Sequence, residues 1–125
     1  MSQTMDGRLS IYNRTRGTLL ASRAEIADSF RTRLIGLLGR RALGPGDGLW
    51  LLASNSIHTI GMRFPIDVVM LSHSGRVLGV RHSLRPCSIL WPNLRVKSIL
   101  ELPADTIARS RTASGDLLRM EIGNP

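Results

Sequence analysis

The stretch "SNSIHTIGMRFPIDVVML", Ser54 to Leu71, decides how this chain is read, because residues with chemistry interrupt sequence that otherwise builds a core. Pro65 has no N–H and holds Phe64 in extended geometry, so the chain from Gly61 to Pro65 enters a strand without lying in a central ladder throughout. A strand opening at Ile66 puts Ile66, Val68 and Met70 on one face and Asp67, Val69 and Leu71 on the other. Both faces are then apolar, and Asp67 needs a partner. His58, Thr59 and Arg63 fall on the entrance segment.

Working outward, "IDVVML" (Ile66 to Leu71) and "RVLGV" (Arg76 to Val80) flank His73-Ser74-Gly75 as a hairpin. Upstream, Gly44-Pro45-Gly46-Asp47-Gly48 is a turn cluster, and "LWLLA" (Leu49 to Ala53) reads as a buried strand. "LSIYN" and "GTLLAS" make another hairpin around Arg14-Thr15-Arg16-Gly17. "SRAEIAD" admits two readings. Ser22 and Glu25 stand at capping-box spacing for a helix, whereas Leu20, Ala24 and Ile26 share one face of a strand. From Asp28 or Ser29, the spacing of Phe30, Leu34, Leu37 and Leu38 predicts an amphipathic helix that Gly39 closes.

Downstream, residues 83 to 95 contain Pro86 and Pro92 and read as a loop anchored by Ile89 and Trp91. Val96 to Leu102 resumes strand pattern, Pro103 to Ser110 makes one helical turn or two, and Ser114-Gly115-Asp116 turns into a last strand, Leu117 to Ile122. Many strands, short turns and one secure helix give an α+β class with a mainly antiparallel sheet. Such a small sheet is expected to curl, partly barrel-like, to hide its edges.

The 125 residues fit a single domain over residues 8 to 125, preceded by a flexible tail at 1 to 7. With 42% hydrophobic residues but only 4% aromatic, the core must be aliphatic. The net charge of +8 comes from 16 Arg and one Lys against 9 acidic residues. It has two explanations, a polyanion partner or the codon preference of a genome rich in G and C. The Arg residues are scattered and the aromatics do not interleave with them as stacking platforms would, so nucleic acid is the weaker reading. Cys87 is the only cysteine, which excludes an internal disulfide and a Cys-based zinc site. No apolar leader segment and no bilayer-length run is present, so the expected location is cytoplasmic, with no membrane partner.

Taken in order, "RLIGLLGR", "DGLWL", "SIHTIGMRFPIDVVML", "SGRVLGV", "ILELPA" and "SGDLL" resemble the prokaryotic family called domain of unknown function 192, from about Gly17 to Met120. The specific part is the central "IHT-x-GMRFPIDVV" block. The resemblance implies a compact, β-rich α+β fold, and with it a strand at Ala24 to Ala27. It marks Arg33, Gly36, Arg40, His58, Thr59, Met62, Pro65, Asp67, Gly75, Glu101, Pro103, Gly115 and Asp116 as family-pattern positions, and it brings no activity with it. Asp105 departs from the pattern, standing where the family commonly has Gly.

Several chemistries can be weighed on these residues. For an enzyme, His58 is the candidate general base and Asp67 its orienting partner or a second acid, which requires the fold to bring them within hydrogen-bond reach. A nucleophile is missing, since Cys87 in "RPCSIL" reads more simply as a small core residue. For a metal, His58, His73 and His82 with Asp67 and Glu101 lack ligand spacing, so neither a metal nor a cofactor is expected. No Walker motif, dinucleotide fingerprint or nucleophile elbow occurs. For nucleic acid, Arg31, Arg33, Arg40 and Arg41 could form one basic face with the helix, although a surface helix is normally charged on its solvent side.

The favoured reading is a non-catalytic binding module for a small polar or anionic ligand. Its pocket is expected where "IHTIGMR" crosses the loop of Pro86 to Pro92, with His58, Thr59, Met62, Arg63 and Asp67 as contacts and Trp50 or Trp91 as an apolar wall. The alternatives are a small hydrolase-like enzyme using His58 and Asp67, and a protein-interaction or Arg-mediated nucleic-acid-binding domain. The chain is expected to be a monomer or weak homodimer. A plainer alternative is that Asp67 accepts turn N–H groups or pairs with Arg63 or another Arg, while His58 ties down the loop.

Overall fold

A computed structural model of the chain describes residues 8–27, 43–59 and 62–122. The amphipathic helix expected from Asp28 to Gly39, with Arg31, Arg33, Gly36, Arg40 and Arg41, lies outside these residues. The described elements in chain order are strands β1 (Leu9–Asn13), β2 (Thr18–Ala27), β3 (Asp47–Leu52), β4 (Ile57–His58), β5 (Ile66–Leu71), β6 (Val77–Leu84), β7 (Ile89–Leu90) and β8 (Ser98–Pro103). Helix α1 (Thr106–Ser110) and strand β9 (Leu118–Ile122) follow.

Seven strands form one sheet in the order β9-β1-β2-β3-β8-β5-β6, and β4 pairs with β7 in a separate two-stranded sheet. Within the large sheet only β2 and β3 run parallel. The sheet curls so that its outer strands meet at one end, where Arg76 and Leu117 form a bridge. Around it the Val77 N–H donates to the Asp116 carbonyl, the Gly115 N–H to that of Val77 and the Leu118 N–H to that of Gly75, at 2.8, 2.8 and 3.0 Å. Closing the sheet on itself removes part of the exposed edge that would otherwise pair with another chain. The expected α+β class, mainly antiparallel and partly barrel-like, is what the chain adopts.

The local rules explain most elements. Gly17 and Gly75, both at positive φ, turn the two expected hairpins. At Gly46, also at positive φ, the turn favours glycine, and a Cβ there would in addition push Ser22 Oγ, 2.6 Å away, aside. "SRAEIAD" resolves as strand through Ala27: Ser22 and Glu25 start no helix, because the backbone there already pairs with β1 on one side and β3 on the other. Leu20 and Ala24 are buried as the alternation requires, but Ile26 is 40% exposed. A register shift in the β1–β2 ladder between Leu9 and Ile11 breaks the simple two-residue period.

The loop over residues 83 to 95 needs the larger correction. Strand β6 runs on to Leu84, beyond the expected Val80, and Ile89–Leu90 is itself a strand. Ile89 and Trp91 do not anchor it, being 53% and 76% exposed, whereas Leu90 and Val96 are buried. Pairing of Ile89 with His58 turns Leu90 inward.

The core is aliphatic and lies in two clusters. One gathers Leu9, Ile11, Leu20, Val69, Leu71, Leu100, Leu102 and Ile107. The other holds Leu49, Leu51, Ile57, Ile66, Val68, Leu90, Val96 and Ile99. Strand β5 supplies both, since Val69 and Leu71 face the first cluster and Ile66 and Val68 the second, each such side chain contributing about 1.5–3 kcal/mol of burial.

The end where the sheet closes is held by a buried polar network. Asp116 Oδ2 accepts from Asn13 Nδ2 at 2.9 Å, Arg16 Nε at 3.0 Å and the Ala113 N–H at 3.0 Å. Asn13 Nδ2 also donates to Thr112 Oγ1, which shares a hydrogen bond with Ser110 Oγ. Burial pushes the Asp116 carboxyl up, but the hydrogen bonds from Asn13, Arg16 and Ala113 and the charge of Arg16 together outweigh it. The pKa is held below the ordinary 3.8. A carboxyl depressed on folding stabilises the fold above its unfolded pKa, and that contribution is lost as pH falls through the folded value. Acid unfolding followed by circular dichroism is therefore expected to show Asp116→Asn losing less stability than the wild type below about pH 4, while being the less stable of the two at neutral pH.

Candidate functional site

Asp67 is fully buried on β5, between apolar neighbours on both faces. Its Oδ1 accepts the Ser83 N–H at 2.9 Å and its Oδ2 the Ile107 N–H at 2.8 Å. Ser83 sits at φ 48, in the irregular part of the β5–β6 ladder, and Ile107 is in the first turn of α1. The irregular ladder at Ser83 and the start of α1 at Ile107 each present an N–H to the interior, and one carboxylate satisfies both. The residue that precedes α1, Asp105, makes no side-chain cap and stands at φ 77. A left-handed conformation there explains why glycine is the family-pattern residue at this position. The cap comes instead from a strand 40 residues away in sequence.

Thr59 is equally occupied. Its hydroxyl donates to the Arg85 carbonyl at 2.6 Å and accepts the Ser88 N–H at 2.7 Å. Its backbone N–H donates to the Ser88 carbonyl and its carbonyl accepts from Cys87 and Met62. Ile57 to Thr59 and the loop at Pro86 therefore do meet, with Thr59 as the fastening and β4 paired to β7 beside it. His58 is half-buried on β4, Met62 is half-buried against the second core cluster, and Arg63 is exposed. The hydrogen bonds of Asp67 go to Ser83 and Ile107, not to His58.

The two tryptophans lie apart. Trp91 is exposed, while Trp50 lines a notch of about 210 Å³ with His73, Lys97 and the Ser72–Gly75 hairpin. Cys87 is exposed at φ 63, not a core residue as its apolar neighbours suggested. Among the described residues no group of three or more His, Cys, Asp or Glu side chains is placed to hold a metal ion.

Cavities of useful size open around α1. One, of about 340 Å³, has apolar walls from Leu43, Pro45, Phe64, Pro65, Pro103 and Ala104. A second, also of about 340 Å³, is lined by β2 from Thr18 to Ser22, by Gly46, and by Thr106 and Ser110. Arg109 lines both. Thr106, Ile107 and Ser110 face inward from this short helix, which leaves Arg109 on its open side. Its guanidinium makes no ion pair or side-chain hydrogen bond among the described residues, whereas nearby Arg23 is paired with Asp47 and Arg16 with Asp116. Among the described residues of the stretch Ser54 to Asp67, Phe64 and Pro65 are the ones that reach this place. Arg109 was missed in the sequence because no motif surrounds it and it is one of 16 arginines. What sets it apart is spatial: the turn at 43–46, the Phe64-Pro65 corner and α1 converge on it.

Comparison with known proteins agrees with this fold. The family model for domain of unknown function 192, described as Uncharacterized ACR, matches residues 11–120. A "UPF0127 protein" from Thermococcus sibiricus is 30% identical over 120 residues, covering 90% of this chain and 75% of the relative. A crystal structure from Sinorhizobium meliloti, of a protein described as a candidate transcription regulator, superposes with a TM-score of 0.76 at 22% identity, over 91% of this chain and 92% of that one. Another, of a protein of unknown function from Novosphingobium aromaticivorans, gives 0.74 at 19% identity, over 90% and 83%. At these identities the two structures speak for the fold alone.

Replacing one oxygen of Asp67 by an amide points an NH₂ group at a backbone N–H, leaving a buried donor unsatisfied at about 1–3 kcal/mol. Asp67→Asn is therefore expected to lower the urea midpoint of unfolding by a corresponding amount, as measured by tryptophan fluorescence.

Proposed function

The chain belongs to the domain of unknown function 192 family, and from that premise we propose that it is a non-catalytic binding module for a small ligand that joins an anionic group to an apolar body. The observation that carries this reading is Arg109, a cation unpaired among the described residues that stands between two cavities of about 340 Å³ each. The apolar body lies against Phe64, Pro65, Pro103 and Leu43. The anionic group, a carboxylate or a phosphate monoester, takes the guanidinium fork through two parallel hydrogen bonds. Thr18, Ser22, Thr106 and Ser110 line the polar side; Ser22 offers its hydroxyl to the anion, while those of Thr18, Thr106 and Ser110 donate to the Ser110, Pro103 and Thr106 carbonyls and hold that wall in place. The site thus sits at the C-terminal end of the Ser54–Asp67 stretch rather than along it.

The alternative, a hydrolase-like enzyme using His58 and Asp67, has less support. A general base is oriented by a carboxylate that hydrogen-bonds to it, and both oxygens of Asp67 receive backbone N–H groups.

Thermal shift and calorimetry with hexanoate and phenyl phosphate test the reading, with hexanol and phenol as uncharged controls. At one hundred times its dissociation constant, a ligand that binds only the folded chain adds about 2.7 kcal/mol of stability. The expected result is stabilisation by an anion and not by its control, weakened about tenfold or more in Arg109→Ala, as loss of a charge-assisted pair requires. Binding unchanged in Arg109→Ala but lost in Arg63→Ala or His58→Ala would overturn this placement of the site, and turnover lost in His58→Ala would favour the enzyme.

A further inference from the structure

Residues 91 to 95, "WPNLR", are a run in which every residue is exposed, and with Ile89 they bring together three of the exposed large apolar side chains among the described residues, the others being Leu19, Ile26 and Ile122 on strands β2 and β9. Leu94 is 81% exposed, Trp91 76% and Ile89, just before them, 53%. The loop is not slack. It is pinned at its base by buried Leu90 and Val96, by the Val96 N–H on the Asn93 carbonyl at 3.0 Å, and by the Arg95 N–H on Asn93 Oδ1 at 2.9 Å. A pre-ordered loop loses little conformational freedom when its tip is taken up by another phase.

The charge around it has one sign. Between Asp67 and Glu101 the sequence contains no acidic residue, while Arg76, Arg81, Arg85, Arg95 and Lys97 fall in that interval. All five are exposed, and in sequence Arg95 and Lys97 follow Leu94 closely, with Arg85 four residues before Ile89. We infer that this loop docks the protein on an anionic lipid bilayer, with Trp91 and Leu94 entering the interfacial region and Arg85, Arg95 and Lys97 lying over the headgroups.

The combination favours a bilayer over other polyanions. A nucleic-acid surface would use Trp91 as a stacking platform but gain nothing from exposed Leu94 and Ile89. A bilayer interface accepts indole and aliphatic tips together, and each Lys or Arg near an anionic leaflet strengthens binding by about fivefold. The sequence expectation of no membrane rests on the lack of a spanning run, and no helix among the described residues is long and apolar enough to cross one. Lying on a surface needs no such helix.

The test uses the full chain and vesicles of phosphatidylcholine alone or mixed with phosphatidylglycerol, with co-sedimentation as the readout. Sedimentation with the mixed vesicles only, reversed by salt, and weakened at least tenfold both in Trp91→Ser/Leu94→Ser and in Arg95→Glu/Lys97→Glu, is the expected result. Circular dichroism checks that these variants are folded, and the Trp50→Phe variant leaves Trp91 as the sole tryptophan, whose emission is expected to shift to the blue. The inference is overturned if the chain stays in the supernatant with both kinds of vesicle, or if Trp91→Ser/Leu94→Ser sediments like the wild type. It is likewise overturned if duplex DNA or RNA is bound more tightly than the mixed vesicles and displaces them. The Arg109 cleft plays no part in any of these outcomes.

Discussion

A single buried carboxylate joins three parts of this structure. Asp67 rises from β5, the strand that faces both core clusters, and takes one N–H from the irregular turn of β6 and another from the first turn of α1. A five-residue helix has too few internal hydrogen bonds to persist alone, and its own preceding residue gives it no side-chain cap. The helix exists where it does because the sheet supplies an acceptor to it. In that interior, a carboxylate with both oxygens satisfied is tolerable and one left half-paired is not.

The position of Arg109 follows from this arrangement. Thr106, Ile107 and Ser110 pack inward, and Ser110 continues through Thr112 to Asn13 and Asp116, the network at which the sheet closes. The helix is thus held at its start by Asp67 and just beyond its end by Asp116 through Asn13. Arg109, on the open side, is presented to the cavities on a support that is rigid at both ends. Among the described residues the guanidinium has no pairing carboxylate, which is the condition under which an arginine can recognise an anion from solution. Thr59 does comparable work elsewhere, fastening the approach to β5 onto the loop that leads to Trp91.

The sequence was legible where a local rule decides the outcome. Gly17 and Gly75 marked their hairpins, the alternation over Ile66 to Leu71 gave a strand buried on both faces, and from that strand came the requirement that Asp67 have a partner. Where pairing in space decides, it was not. Ser22 and Glu25 have helix-start spacing, but β1 and β3 claim that backbone. Ile89 and Trp91 look like anchors by hydrophobicity, yet pairing with His58 sends Leu90 inward and leaves both of them out. The site shows the same division. His58, Thr59 and Asp67 stand out because they interrupt core sequence, and for Thr59 and Asp67 the interruption serves backbone N–H groups that no ladder can reach. Arg109 interrupts nothing and is singled out only by the turn, corner and helix that converge on it.

Two surfaces with different chemistry therefore share one scaffold: a cleft lined, among the described residues, by one cation, and a pinned loop with apolar tips among cations. Both require that the short elements connecting the strands be held as firmly as the strands. Amide hydrogen exchange, read residue by residue by NMR, tests that requirement most directly. If the Asp67 clamp is what holds α1, the Ile107 and Ser83 amides exchange as slowly as those of β5 in the wild type. In Asp67→Asn they become fast, together with the rest of α1, while β8 and β5 stay protected. If Ile107 exchanges quickly in the wild type, or is as slow in Asp67→Asn as before, the clamp does not hold the helix and the central claim fails.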